Sequence, residues 1–268
     1  MDGDDLEIIM EDGDDFTLDD GEPVTTKSKT SCMKNLKIVL KDKVENKTKI
    51  ETKKSKPRKK DTSIVSNLIK VYHNVLEDDY CDYLIDRFEK EMGLHVEEPC
   101  FQKVSTERRS FAQLHIMDSN FGIKGADGWT EDSKKLISIF DNLRKLYIKD
   151  CKIDKFQFPE SFTWEGLRLK KYEVNKIDEF QNHVDVLDYD AARRFLTFFC
   201  YLDNNSGGAT DFPDYGQRGK LKEKLLFHSS SKKGSVILFP PMWPWLHRGN
   251  RPKRKPKYIV QTYLHMFN

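Results

Sequence analysis

From Phe156 onward the pattern of this chain is that of strands. Leu167 to Tyr172 alternates apolar and charged residues, the pattern of a half-buried strand. Arg194 to Leu202, Ser235 to Phe239 and Tyr258 to Met266 are short runs rich in β-branched and aromatic residues. Asn204 to Gly208 and Pro240-Pro241 read as the punctuation between them. Upstream the spacing is helical. Leu76 to Met92 carries Tyr80, Tyr83, Leu84, Phe88 and Met92 on one face, with Asp78 or Asp79 as N-cap. Glu131 to Lys149 carries Leu136, Ile139, Phe140, Leu143, Leu146 and Tyr147. Helices followed by many strands predict a mostly β (α+β) chain whose helices lie on one face of a sheet sandwich.

Chemistry sits among these strands. His183-Val184-Asp185 is followed by His247 and then by Lys257. Residues i and i+2 of a strand point to the same face, so His183 and Asp185 can share one metal ion, with His247 arriving from another strand. Two imidazoles and one carboxylate suit ferrous iron and leave coordination positions open. Lys257 opens an apolar strand, where a cation needs an anionic partner. Lys253, Lys255, Arg251 and Arg254 instead lie in a Pro-punctuated basic loop.

Taken in order, Arg194 to Leu202, Gly207-Gly208-Ala209-Thr210, Lys233-Gly234-Ser235 to Pro240, His247-Arg248-Gly249 and Lys257 to Tyr263 resemble the prolyl 4-hydroxylase-like branch of the Fe(II)/2-oxoglutarate dioxygenases. The resemblance runs from about Asn74 to the C-terminus and is strongest from Leu167 to Tyr263. It implies a double-stranded β-helix, or jelly roll, with the N-terminal helices packed on one sheet. It implies Fe(II) held by His183, Asp185 and His247, with 2-oxoglutarate, O2 and ascorbate as reductant. Lys257, at the offset of the family lysine, would bind the far carboxylate of 2-oxoglutarate together with Tyr172 and Thr210. Arg194, Tyr263 and Trp243, with Trp245, would line the substrate groove. Phe180 departs from the family's tyrosine before the first ligand, and this puts a prolyl substrate in question. Gly-Gly-Ala-Thr and Lys257-Tyr258 depart too, without touching the iron.

The expected activity is hydroxylation of an unactivated C–H bond on a peptidyl residue such as proline, with succinate and CO2 as co-products. The alternatives are the same chemistry on a nucleic acid or small molecule, or a non-catalytic binding module. Charge segregation bounds the rest. Residues 1–22 hold eleven Asp/Glu and no Lys/Arg, and residues 23–60 hold fourteen Lys/Arg against three Asp/Glu. Such blocks cannot bury enough apolar surface to fold, so residues 1–60 read as a disordered tail and 61–268 as the oxygenase domain. The basic segment 23–60 is either a nucleic-acid contact or a solubilising run balanced by its acidic neighbour. The five cysteines form no Cys-x-x-Cys and leave an odd one, against a disulfide framework. The acidic N-terminus is neither a signal nor a transit peptide, and no stretch of eighteen apolar residues occurs. A cytoplasmic protein without membrane attachment and with a peptide or protein substrate is expected. The sequence leaves the oligomeric state open.

Overall fold

The computed structural model describes residues 64–94, 98–119, 122–215 and 221–267. The charged segments 1–60, and with them the expected tail, its nucleic-acid contact and Cys32, lie outside the described residues. The fold begins with a single helical turn, α1 (Ile64–Asn67), and a short strand, β1 (Lys70–Tyr72). Helix α2 (Asp78–Met92) follows. Its N-cap is Glu77, which makes no side-chain cap. Asp78 and Asp79 therefore lie inside the first turn, where they complement the helix dipole rather than cap it. After β2 (Phe101–Ser105) and β3 (Ser110–His115) comes the long helix α3 (Thr130–Cys151). The remaining chain is strand: β4 (Phe162–Trp164), β5 (Arg168–Tyr172), β6 (Phe180–His183), β7 (Arg194–Tyr201), β8 (Asn205–Tyr215), β9 (Leu221–Ser231), β10 (Ser235–Phe239), β11 (His247–Gly249) and β12 (Lys257–Met266).

Two expectations are corrected here. Asn205 to Gly208 belongs to β8 rather than to a turn, because the residues at either end of it, Asn205 and Thr210, pair with β9 and override its turn composition. The alternation of β5 does not expose its charged face: Lys170 is buried and Arg168 half-buried.

The strands form two antiparallel sheets. The larger runs β1-β10-β7-β12-β5-β3-β2, with β4 joined to β12, and the smaller runs β6-β11-β8-β9. Period-two alternation divides the large sheet between two cores. Leu169, Phe198, Cys200, Val236, Leu238, Val260 and Leu264 face one way and pack with Leu84 and Phe88 of α2 and Leu136, Phe140, Leu143 and Tyr147 of α3. Their neighbours Tyr172, Phe199, Tyr201, Ile237, Phe239 and Ile259 face the other way, against Phe212 of the small sheet. Each such side chain contributes about 1.5–3 kcal/mol by leaving water. This is a jelly roll with its helices laid against the large sheet. The interior between the sheets is where the polar chemistry collects. The four described cysteines are free, and no described helix is long and apolar enough to cross a membrane.

Candidate active site

Strand register brings His183 and His247 together. They are Cα partners at the ends of β6 and β11, although 64 residues separate them in sequence (247 − 183). Their ring centroids are 4.2 Å apart. Asp185 is not in the strand with His183, as the i, i+2 argument expects; β6 ends at His183. The chain instead turns, and the Asp185 amide donates to the Pro241 carbonyl at 2.7 Å. That bond directs the carboxylate back towards the imidazoles. Asp185 Oδ1 lies 3.5 Å from His183 Nε2 and Oδ2 lies 3.7 Å from His247 Nε2. One ligand atom from each residue falls within 4.8 Å of the others.

Hydrogen bonds select the metal-binding tautomer. His183 Nδ1 is 2.7 Å from the Gln181 carbonyl and His247 Nδ1 is 3.1 Å from the Trp245 carbonyl. A carbonyl only accepts, so each Nδ1 carries the proton and each Nε2 turns a lone pair towards the shared space. Burial, and then the His183 charge, push His247 down to about 4, which keeps it neutral at ordinary pH. Burial favours a neutral Asp185, but His247, His183 and Arg194 outweigh it and hold the carboxyl well below its usual range. Thr197 Oγ1 donates to Asp185 Oδ2 at 3.2 Å and fixes its rotamer. Arg194 donates to the Asp185 carbonyl at 3.0 Å, and buried Glu165 holds that guanidinium by two bonds of 2.7 and 2.8 Å. Two imidazoles oriented through Nδ1, one ionised carboxylate and its fixed partners fit a divalent iron with open positions.

A second group lies across the β5–β12 pairing. Lys257 and Tyr172 are Cα partners, and Lys257 Nζ sits 5.0 Å from the Tyr172 ring and 5.9 Å from the Tyr201 ring. Tyr201 donates to Thr210 Oγ1 at 2.8 Å. Gly208 is required here: a Cβ would stand 2.7 Å from Lys257 Cδ. Burial pushes the ammonium down to about 8, with Asp203 partly opposing. Among the described residues no side chain accepts a hydrogen bond from it. A buried cation without an anionic partner is costly, and a carboxylate would offset that cost. Lys253, Arg254 and Lys255 are exposed, as a basic loop should be.

In front of the His–Asp–His cluster opens a cavity of about 670 Å³ lined by His183, Asp185, Arg194 and Tyr263 among others. Trp243 is not there. It stands 74% exposed beyond β10, joined to Pro244 by a cis peptide. Trp245 packs inward and donates to the Val65 carbonyl. The sequence reading missed Glu165, Thr197, Lys170 and Tyr201. The inward-facing positions of β5 and β7, which alternate with apolar neighbours, are the signal that finds the last three.

Residues 167–265 match the model of the 2OG-Fe(II) oxygenase superfamily. The matched stretch contains all three residues of the His–Asp–His cluster and Lys257. A 2OG-Fe(II) oxygenase uses Fe(II), 2-oxoglutarate and O2, and the cluster and the buried lysine fit the first two. A Pseudomonas putida prolyl-4-hydroxylase superposes with a TM-score of 0.51 at 14% identity, over 77% of this chain and all (100%) of that one. A Trichoplax adhaerens prolyl hydroxylase, solved in complex with a hypoxia inducible factor oxygen degradation domain peptide fragment, superposes with a TM-score of 0.53 at 14% identity, over 76% and 88%. These likenesses establish the fold. No curated protein matches the sequence.

Proposed function

We propose that this oxygenase hydroxylates a residue within a polypeptide, proline foremost. His183, Asp185 and His247 hold the iron, and Lys257, Tyr172 and Thr210 receive the far carboxylate of 2-oxoglutarate. The observation that carries the peptide reading is the groove. It runs from β2 and β3 across β5 to the loop after β6, and His183 and Asp185 lie on its wall. A cavity of that volume admits one residue at the metal and its neighbours along the chain. Both solved neighbours are prolyl hydroxylases, and one carries a peptide.

With its co-substrates bound, the iron supplies the oxidising power, giving succinate, CO2 and a hydroxylated C–H bond; the protein supplies geometry and shielding. His183 and His247 are held through Nδ1 by backbone carbonyls, and burial keeps His247 neutral. Thr197 and Arg194 keep Asp185 in place from its side chain and its backbone. Phe180 stacks on His183 with centroids 3.4 Å apart, closing that side of the ligand to water. Lys257 neutralises a charge that the interior otherwise rejects.

Iron-loaded protein incubated with 2-oxoglutarate, ascorbate and peptide pools should yield succinate and peptides heavier by one oxygen. Alanine at His183, Asp185 or His247 should abolish both and weaken iron binding. Unchanged iron stoichiometry in all three variants would refute the ligand set. Oxygen appearing in an oligonucleotide pool instead would refute the peptide reading.

A further inference from the structure

We propose that the groove is built for an acidic peptide: the substrate presents a carboxylate side chain beside its reacting residue, and Lys170 with Arg168 receives it. The proposal rests on the peptide-hydroxylase reading and names its substrate class.

Inward-facing residues of β5 are Arg168, Lys170 and Tyr172, and two of these three are cations. Cross-strand pairing sets Gln113 beside Lys170 and His115 beside Arg168, and Gln102 beside Gln113. This stretch of the interior is therefore polar where a jelly roll is ordinarily apolar. Lys170 is 5% exposed, and its one hydrogen bond among the described residues goes to an uncharged amide, Gln261 Oε1, at 2.5 Å. Its ammonium also lies 4.5 Å from the Phe111 ring. Burial and the neighbouring Arg168 act against its charge. A single carboxylate, Glu165, serves both Arg168 and Arg194 and also touches His265. Two guanidinium groups thus share one internal anion, and the opposing charge that Lys170 feels is Asp185, itself part of the metal cluster. Two polar atoms at this place are buried without a partner, His115 Nδ1 and Arg168 Nε. His115, Arg168 and Lys170 all line the cavity. An uncompensated buried cation and unpartnered donors are costly unless a ligand completes them. The missing partner is an anion with acceptor oxygens.

The rim decides which anion. Arg108 and Arg109 stand there with Glu107 and Asp188, so the entrance is mixed in sign. A nucleic-acid backbone draws its affinity from several phosphate–cation contacts along its path, which Glu107 and Asp188 oppose here. A single carboxylate on a side-chain stem passes a mixed rim and reaches Lys170 behind it.

The test uses the full chain with Fe(II) and 2-oxoglutarate under anaerobic conditions, so that binding is read without turnover. Fluorescence anisotropy compares labelled, end-capped octapeptides of repeating Pro-Glu, Pro-Gln and Pro-Lys with a labelled thymidine octanucleotide. Pro-Glu should bind about tenfold or more tighter than Pro-Gln, as a charge-assisted bond in a dry site does. Pro-Lys should bind weakest. Lys170→Met should erase the preference of Pro-Glu over Pro-Gln and Lys170→Arg should keep part of it. Lys253→Ala, in the exposed loop, should leave it intact. The wild-type comparison stands without any variant. Equal affinity for Pro-Glu and Pro-Gln overturns the proposal. So does an oligonucleotide that outbinds Pro-Glu, or a Lys170→Met whose defect lies in 2-oxoglutarate affinity alone. Opening the samples to air separates the two readings: acidic preference without succinate sinks the oxygenase assignment and leaves the anion site standing, and succinate formed without acidic preference does the reverse.

Discussion

Replacing Lys257 by Ala should disable 2-oxoglutarate binding without damaging the fold. The side chain is 2% exposed, and Tyr172 and Tyr201 stand 5.0 and 5.9 Å away as rings rather than as counter-charges. In the cofactor-free protein the ammonium is a burden, as its lowering to about 8 by burial records. Removing it should leave the melting temperature in the absence of 2-oxoglutarate nearly unchanged. With 2-oxoglutarate bound the same substitution leaves a buried carboxylate unpaired. Breaking a buried pair costs about 3–5 kcal/mol, on the order of a hundredfold or more in affinity. Lys257→Arg should recover only part, since a forked guanidinium needs width. Width is scarce there, because even a Cβ at Gly208 would stand 2.7 Å from Lys257 Cδ. Lys253→Ala and Lys255→Ala remove exposed charges and should change little. The assay is the 2-oxoglutarate dependence of succinate formation, alongside iron titration, which should be normal in all variants. A normal Michaelis constant for Lys257→Ala would refute the reasoning. A larger defect for Lys255→Ala would do the same, placing the receptor on the loop instead of at the head of β12.

Acid should destabilise the metal-free protein in a defined window. His247 and His115 are both pushed down to about 4, chiefly by burial, so the unfolded chain takes up protons that the folded one refuses. Their stability contribution is complete above about pH 6.5 and is lost as pH falls towards 4. Melting temperature should therefore drop across that interval, and a flat profile from pH 7 to 5 would contradict it. We further propose that residues 1–60 are dispensable for chemistry, because their charge is segregated and their apolar content low. A chain starting at Asp61 should fold, bind iron and decarboxylate 2-oxoglutarate; a soluble, iron-loaded but inactive truncation would refute this.

How much of the molecule the sequence announces depends on whether a residue's neighbours are local. The cores of β5, β7, β10 and β12 are legible because each is a short run of β-formers, and their bounds agree with the expected runs within a residue. Helix α3 is legible from its three–four stripe. Strand β9 is not: Leu221 to Ser231 is polar, and it exists because β8 offers it a ladder. Gly207-Gly208 carries the local signature of a turn, and its amides do bond locally to Asn205 Oδ1, yet the flanking Asn205 and Thr210 pair with β9 and draw the stretch into β8. His183 and His247 could be paired from their order, but the Asp185 geometry depends on Pro241, which no spacing rule connects to it. Trp243 is aromatic and close to a ligand in sequence, and the turn around Pro244 carries it out to solvent.

β5 shows most clearly where periodicity stops informing. A period of two says that Arg168, Lys170 and Tyr172 share a face and that Leu169 does not. It does not say which face is inside when both are covered. Here the helices claim Leu169, and the small sheet closes over the other face. The cations are thereby forced inward, beside a cluster that already holds a carboxylate and two imidazoles. A chain under no functional demand would place apolar residues at 168 and 170, as it does at 237, 239 and 259 on the same side of this sheet. The charge was left in the interior despite its cost, and the groove above it gives an anion access to offset that cost.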